Sequence, residues 1–142
     1  MKAKSFIVSF LAVVAVIGAF SIYLSTIVDR AEKSFTAVLS PDKKMKAVKL
    51  SLAGGGRSPF CIDSISVMLS AYPDEFAESR KEYDVYSAPC GRFANGDPSP
   101  KIEWLSTTAL QITRAVSHDA RTARVKSIDV TKSVHVTFVE RE

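Results

Sequence analysis

The sequence predicts a small all-β domain, an antiparallel meander or sandwich, preceded by one N-terminal transmembrane helix. Two observations predict this organisation. Ser5 to Val28 is a run of 24 residues without a charged side chain, and the chain after it alternates between apolar and polar residues over several short stretches. Alternation with a period of two is typical of half-buried strands. We therefore divide the chain into a membrane anchor, residues 1–30, and a β domain, residues 31–142.

The uncharged run is long enough to span a bilayer, because about 20 helical residues cross a hydrocarbon core of about 30 Å. Lys2 and Lys4 precede the run, and basic residues favour the cytoplasmic side of a membrane. We expect a single-pass cell-membrane protein with a cytoplasmic N-terminus and a periplasmic or extracellular C-terminal domain. The alternative is a cleaved signal peptide and a secreted soluble domain, since Ile17-Gly18-Ala19 and Ala19-Phe20-Ser21 are weak cleavage sites.

The charge of the β domain excludes one class of ligand. The chain has 19 basic and 15 acidic residues. Setting aside Lys2, Lys4, Arg30 and Asp29 leaves 16 basic and 14 acidic residues in the β domain. Binding of nucleic acid requires a clustered basic face, so we expect no nucleic-acid partner.

Cys61 and Cys90 are the two cysteines of the chain. A pair of cysteines in an exported domain favours a disulfide, whereas in the cytosol it would favour a metal or redox role. Their separation of 29 positions fits no Cys-x-x-Cys redox motif. We therefore predict a structural disulfide between them, which closes a loop and stabilises the fold by about 3–4 kcal/mol.

The β domain contains seven alternating stretches and one weaker one. The predicted strands are Phe35–Leu39, Lys46–Ala53, Phe60–Leu69, Tyr83–Ala88, Lys101–Leu105, Ala109–Thr113 and Val130–Val139, with a possible strand at Ala123–Ile128. Glycine-bearing residues between Ala53 and Phe60 predict a hairpin. The interval Tyr72–Glu82 fits a short helix or a loop, and Gly91–Pro100 fits an exposed turn.

The alternation assigns faces to the predicted strands. Lys46–Ala53 is read as half-buried, with Val48, Leu50 and Leu52 on one face. Ile65 shares a face with Cys61, which places Asp63 on that face too. Because a buried carboxylate needs a partner, Asp63 is the acid that most needs an explanation. In the later strands we expect Ile102, Trp104, Leu110, Ile112, Val134, Val136 and Phe138 to face inward, and His135 outward.

Two short motifs resemble elements of known families. Ser40-Pro41-Asp42-Lys43-Lys44 and Ile102-Glu103-Trp104-Leu105-Ser106 each accompany an alternating strand. They resemble the Ser-Pro-Asp-Gly-Lys and Trp-Leu-Ser elements of small membrane-anchored bacterial β-domain proteins of unknown function, and of single blades in TolB-type propellers. Lys43 stands where that pattern usually has glycine. The resemblance, which spans Leu39–Thr113, implies a lone β-meander and no activity.

The chain contains no motif that indicates catalysis. Ser117, His118 and Asp119 are adjacent in sequence, and neighbours rarely face each other in a catalytic arrangement. The run Gly54-Gly55-Gly56-Arg57 leads into a strand rather than a helix, so it predicts a hairpin loop rather than a phosphate site. We expect no catalytic residue, no metal and no cofactor, with an exported hydrolase whose site lacks a known motif as the alternative.

We expect the exported domain to act by binding another protein of the cell envelope. Loops with glycine and proline flank the two cysteines and provide exposed backbone. The candidate contact residues are Gly54, Gly55, Gly56, Arg57, Arg92 and Asn95, within the loops Gly54–Pro59 and Gly91–Pro100.

Overall fold

The computed structural model describes residues 12–23, 31–55, 58–116 and 123–142. Residues 12–23 form a helix, α1. A short helix, α2, spans Phe76–Ser79, and a 3-10 turn spans Lys81–Tyr83. The strands are β1 (Glu32–Leu39), β2 (Met45–Gly54), β3 (Phe60–Leu69), β4 (Asp84–Pro89), β5 (Gly91–Arg92), β6 (Pro98–Ser99), β7 (Lys101–Ser106), β8 (Ala109–Ala115), β9 (Arg124–Val125) and β10 (His135–Arg141).

The first sheet is the predicted antiparallel meander with one strand added. Its order is β1-β2-β3-β4-β9, and all four pairings are antiparallel. The predicted hairpin is confirmed, with Met45 opposite Leu69 and Gly54 opposite Phe60. The all-β prediction therefore holds for this half of the domain, and the strand bounds differ from those predicted by a few residues.

The second sheet departs from a simple antiparallel meander. Its order is β10-β8-β7, and β10 pairs with β8 in parallel. Parallel neighbours need a crossover connection. Here the chain leaves β8 and forms β9, which pairs with β4 in the first sheet, before it returns to the second sheet as β10. The amide of Val136 in β10 donates to Ser127 O, in the segment after β9, at 2.8 Å. Residues 117–122 of this connection lie outside the described residues.

The main core lies between the two sheets. It is formed by buried apolar side chains of both, namely Met45, Ala47, Ile65, Val67, Val85, Tyr86, Ala88, Leu110, Ile112, Val134 and Val136. Ile102, Trp104 and Phe138 pack against it, as their alternation predicts. The indole Nε1 of Trp104 donates to Val38 O at 2.9 Å and so joins β7 to β1.

The opposite face of the first sheet is also partly covered, which corrects one prediction. β2 is not half-buried over its first residues, because Met45, Lys46, Ala47 and Val48 are all buried. A second small core of Val48, Met68 and Ala77 forms under α2, with aromatic rings packed around it. The short helix thus covers part of the Val48 face of β2, whereas Met45 and Ala47, on the face opposite to Val48, pack into the main core.

Other predicted elements are shorter in the structure or take another form. The last strand begins at His135 rather than Val130, because the buried carboxylate of Asp129 accepts from the amides of Ser133 and Val134 at 2.8 Å and holds a turn. The predicted strand Ala123–Ile128 is reduced to the two residues of β9. The predicted turn Gly91–Pro100 forms a two-stranded ribbon, β5-β6.

The N-terminal prediction falls partly outside the described residues. Of the uncharged run Ser5–Val28, residues 12–23 are described, and they are helical. Within the described parts of the chain, no helix has both the length and the apolar character needed to cross a membrane.

Candidate functional site

The predicted disulfide is confirmed. Cys61, near the start of β3, is bonded to Cys90, which follows β4, and their Cα atoms lie 5.3 Å apart. The amide of Cys90 also donates to Cys61 O at 3.1 Å. The disulfide therefore fixes the end of the β3–β4 pair from which the β5-β6 ribbon leaves.

The β5-β6 ribbon carries two of the predicted contact residues, Arg92 and Asn95. The Arg92 Nη1 donates to Gly96 O at 2.9 Å, and Asn95 Nδ2 donates to Asp97 Oδ2 at 3.1 Å. Lys101 Nζ donates to the same carboxylate at 2.7 Å. The Lys101 ammonium, with the Asn95 amide, holds the pKa of Asp97 below its usual value. Side chains of the ribbon, together with Lys101 from the strand that follows it, thus stabilise the turn of the ribbon.

A cleft of about 430 Å³ opens beside the disulfide. We call it the disulfide cleft; it is lined by Lys49, Ser51, Cys61, Asp63, Cys90, Gly91, Arg92, Pro98 and Ser99. Asp63 is buried in its wall, as the alternation suggests. Its Oδ1 accepts from Ser51 Oγ at 2.5 Å, and its Oδ2 lies 3.5 Å from Lys49 Nζ. The acid thus has the partners that its burial requires.

The charges of the disulfide cleft are unbalanced. Lys49 and Arg92 contribute two positive charges and Asp63 one negative charge. Among the described residues Arg92 makes no ion pair, since its guanidinium donates to the carbonyl of Gly96. The cleft therefore favours a ligand that carries negative charge.

The exposed face of the first sheet holds a second, larger concavity of about 500 Å³. We call it the sheet groove; it is lined by Leu50, Leu52, Ile62, Ser64, Lys81, Asp84, Val85, Tyr86, Ser87, Arg124, Val125 and Lys126. Aliphatic side chains of β2 and β3 form its floor. Three basic residues, Lys81, Arg124 and Lys126, lie around it.

The one acid in the sheet groove is engaged within the fold. Asp84 accepts from Ser66 Oγ at 2.6 Å and lies 3.8 Å from Lys81 Nζ. Burial raises the pKa of this carboxyl, and the Ser66 hydrogen bond and the Lys81 charge oppose that shift. With Asp84 paired to Lys81, the side chains of Arg124 and Lys126 give the groove a net positive charge.

Several predicted residues are not among the described residues that line the two sites. Ser117, His118, Asp119, Gly56 and Arg57 lie outside the described residues. Gly54 ends β2, and Gly55 follows with φ +118°, a backbone conformation that suits glycine. His135 is exposed, as expected. In the described ranges no three His, Cys, Asp or Glu side chains are grouped as a metal site would require.

The sequence analysis did not find the sheet groove or its basic residues. Leu52 and Ile62 are directly opposite in the β2–β3 register, so both fall on one face once the hairpin is aligned. Arg124 and Lys126 reach that face through β9, whose position beside β4 is a tertiary feature. The alternation of apolar residues in β2 and β3 is therefore the sequence signal for the apolar half of the groove, which these two strands form.

Comparison with family models, with curated proteins and with solved structures finds no match to this chain.

Proposed function

We propose that the protein is a membrane-tethered, non-catalytic binding module of the cell envelope, which receives an acidic segment of another envelope protein in the disulfide cleft. The observation that carries this proposal is the charge of the cleft. Asp63 is held by Ser51 and Lys49, while the guanidinium of Arg92 has no carboxylate partner in the described parts of the chain. A carboxylate supplied by a partner would complete the pairing.

The tether is supported by the N-terminal sequence. Lys2 and Lys4 precede 24 uncharged residues, an arrangement that favours a cytoplasmic N-terminus and an external β domain. The Cys61–Cys90 disulfide fits the oxidising compartment that this topology gives the domain. Tethering also raises the effective concentration of the module for other proteins at the same membrane.

The chemistry of the cleft favours binding over catalysis. Ser51 donates its hydroxyl hydrogen bond to Asp63, and among the described residues no histidine lines the cleft to act as a general base. Lys49 is engaged with the same carboxylate. The hydrolase alternative therefore depends on Ser51 or on residues 117–119.

Photocrosslinking in intact cells tests the proposed partner. A photoreactive phenylalanine analogue at Asn95, the exposed tip of the ribbon, should form an adduct with one envelope protein. Arg92→Gln keeps a side-chain donor and removes the charge, so we expect it to lower the adduct yield about tenfold. Lys44→Gln, an equal change of charge in the exposed turn before β2, is the matched control and should leave the yield unchanged.

Two results would overturn the proposal. One is an adduct that is absent, or whose yield Arg92→Gln does not change. The other is a hydrolytic activity of the full chain that Ser51→Ala abolishes, or that alanine at Ser117, His118 or Asp119 abolishes, since this would assign the protein to the enzyme class.

A further inference from the structure

The sheet groove ends in a set of exposed apolar side chains. Phe60 and Ile62, on one face of β3, are 43% and 42% exposed. Leu52, opposite Ile62 on β2, lies beside them and is only partly covered. Apolar side chains grouped in this way on one face indicate an interaction surface rather than scattered exposure.

This apolar end lies where the β domain follows the N-terminal segment. A Cβ built on Gly54 would lie 3.0 Å from Ala31 Cα and 3.3 Å from the tip of the Phe60 ring. Ala31 and Phe60 therefore flank the same point of the sheet face. If the membrane span ends at Val28, Ala31 follows three residues later and lies within about 11 Å of that end.

The basic residues of the groove lie farther from Ala31 along the strands. In register, Ile62 is followed on the same face by Ser64, which faces Ser87 of β4, and Ser87 faces Arg124 of β9. Two residues of strand correspond to about 7 Å. The apolar and the basic residues thus occupy adjacent positions of one sheet face, so that a surface that contacts this face meets both.

We propose that the sheet groove docks on the anionic lipid surface of the membrane that holds the chain. The inference rests on the tether of the proposed function. Phe60 and Ile62 enter the interface, and Arg124 and Lys126 bind lipid phosphates, as on other surfaces that combine apolar and basic residues. Docking of this face leaves the disulfide cleft, on the other face of β2 and β3, open to a protein partner.

The experiment uses the full chain in nanodiscs of phosphatidylcholine with 30% phosphatidylglycerol, and in nanodiscs of phosphatidylcholine alone. A photoreactive phenylalanine analogue replaces Phe60, a conservative change at an exposed ring. The same analogue at Leu105, which is 57% exposed near the opposite end of the sheets, is the matched control. Mass spectrometry measures lipid adducts at each position, and first verifies that the N-terminal residues are retained.

We expect at least about five times more lipid adduct at position 60 than at position 105 in the anionic nanodiscs. Arg124→Glu with Lys126→Glu should lower the adduct at position 60 at least about threefold, because each basic residue contributes to binding of anionic lipid. Lys43→Glu with Lys44→Glu is an equal change of charge in an exposed turn far from Ala31, and it should leave the adduct at position 60 unchanged. Phosphatidylcholine alone should give less adduct.

Three outcomes would overturn the inference. Equal adducts at positions 60 and 105, or no effect of the Arg124 and Lys126 substitutions, would refute it while the tether remains intact. An adduct from position 60 to a protein in native membranes, with none to lipid, would assign the groove to a protein partner. A chain that lacks its first 19 residues or more would refute both the tether and the docking, and the mass measurement distinguishes that case.

Discussion

Lys43 adopts the left-handed backbone conformation, with φ 58°, in the turn between β1 and β2. The turn is fixed around it by side chains. The hydroxyl of Ser40 donates to Asp42 Oδ1 at 2.7 Å and accepts from the amide of Met45 at 3.0 Å, and Asp42 Oδ1 also accepts from the amide of Lys44. Lys43, at the position where the resembling motif usually has glycine, therefore adopts a backbone conformation that glycine favours.

Lys43→Gly should stabilise the fold. A residue other than glycine at positive φ costs about 1–2 kcal/mol, and glycine adds about 0.5–1 kcal/mol of unfolded-state entropy. We expect a net gain of about 0.5–1 kcal/mol in the free energy of unfolding, measured by urea denaturation. Lys44→Gly, at a neighbouring residue without positive φ, should lose a similar amount. Equal losses in both variants would contradict the assignment of strain to Lys43.

Asp42 should make the stability of the turn depend on pH. The Ser40 hydroxyl, with the Lys44 amide, lowers the pKa of this carboxyl from its ordinary value. The ionised form is therefore favoured in the folded state, and its stabilisation is present above about pH 4 and lost as the pH falls through the lowered pKa. Asp42→Asn keeps an acceptor but cannot titrate.

We expect the melting temperature of the wild type to exceed that of Asp42→Asn at pH 7, and the two to converge between pH 4 and pH 2. Thermal denaturation followed by circular dichroism at stepwise pH measures the difference. Asp97→Asn should behave in the same direction, because the pKa of Asp97 is lowered as well. A difference that stays constant across this pH range would show that the Asp42 charge does not act in the turn.

At the scale of elements, the buried Lys46 joins β2 to the segment before α2. Its ammonium donates to Tyr72 O and to Asp74 Oδ1, each at 2.5 Å. The lysine is 6% exposed, whereas the side chain of Asp74 is 36% exposed. The pair therefore holds the segment leading to α2 against the sheet, and α2 covers the second small core.

Removal of Asp74 and removal of Lys46 should lower the free energy of unfolding by different amounts. Asp74→Ala leaves a buried ammonium with one acceptor, so we expect a loss of about 1–2 kcal/mol. Lys46→Met keeps the length of the side chain and leaves a carboxylate that water can reach, so the loss should stay below about 1 kcal/mol. Urea denaturation of both variants measures the order. A larger loss in Lys46→Met would contradict this account.

The disulfide should contribute more to the free energy of unfolding than the backbone conformation of Lys43 or the charge of Asp42. Closing a loop across 29 positions restricts the unfolded chain and stabilises the fold by about 3–4 kcal/mol. Cys61→Ala with Cys90→Ala should lose that amount in the free energy of unfolding, measured in the same detergent as the wild type. Thiol labelling of the denatured, non-reduced wild type is the control and should find no free thiol. A loss below about 1 kcal/mol would show that the bridge is not a main source of stability.

At the scale of the whole molecule, the local parts of the fold could be predicted from the sequence. Alternation from Phe60 to Leu69 gave the strand with its observed bounds, and the glycines before Phe60 gave the hairpin, because both depend on neighbours in sequence. Asp63 was identified as the acid that needs a partner by parity alone. Ser51, opposite it in the register, is that partner.

The parts that depend on distant residues could not be predicted. The parallel pairing of β8 and β10 follows from a crossover through the first sheet, which no local pattern encodes. The half of the sheet groove that contains Arg124 and Lys126 depends on the same crossover. Likewise, the burial of Lys46 depends on Tyr72 and Asp74, which contact its ammonium from a segment distant in sequence.

The topology of the whole chain gives the last prediction. Twenty-four uncharged residues after Lys2 and Lys4 should hold the protein in the membrane with the β domain outside. An alkaline phosphatase fused after Glu142 should therefore be active, since it folds with its disulfides only outside the cytoplasm. The purified protein should retain its N-terminal residues by mass spectrometry. A mature chain that begins at Phe20 or Ile22 would show that the segment is a cleaved signal, and an inactive fusion would place the domain on the cytoplasmic side.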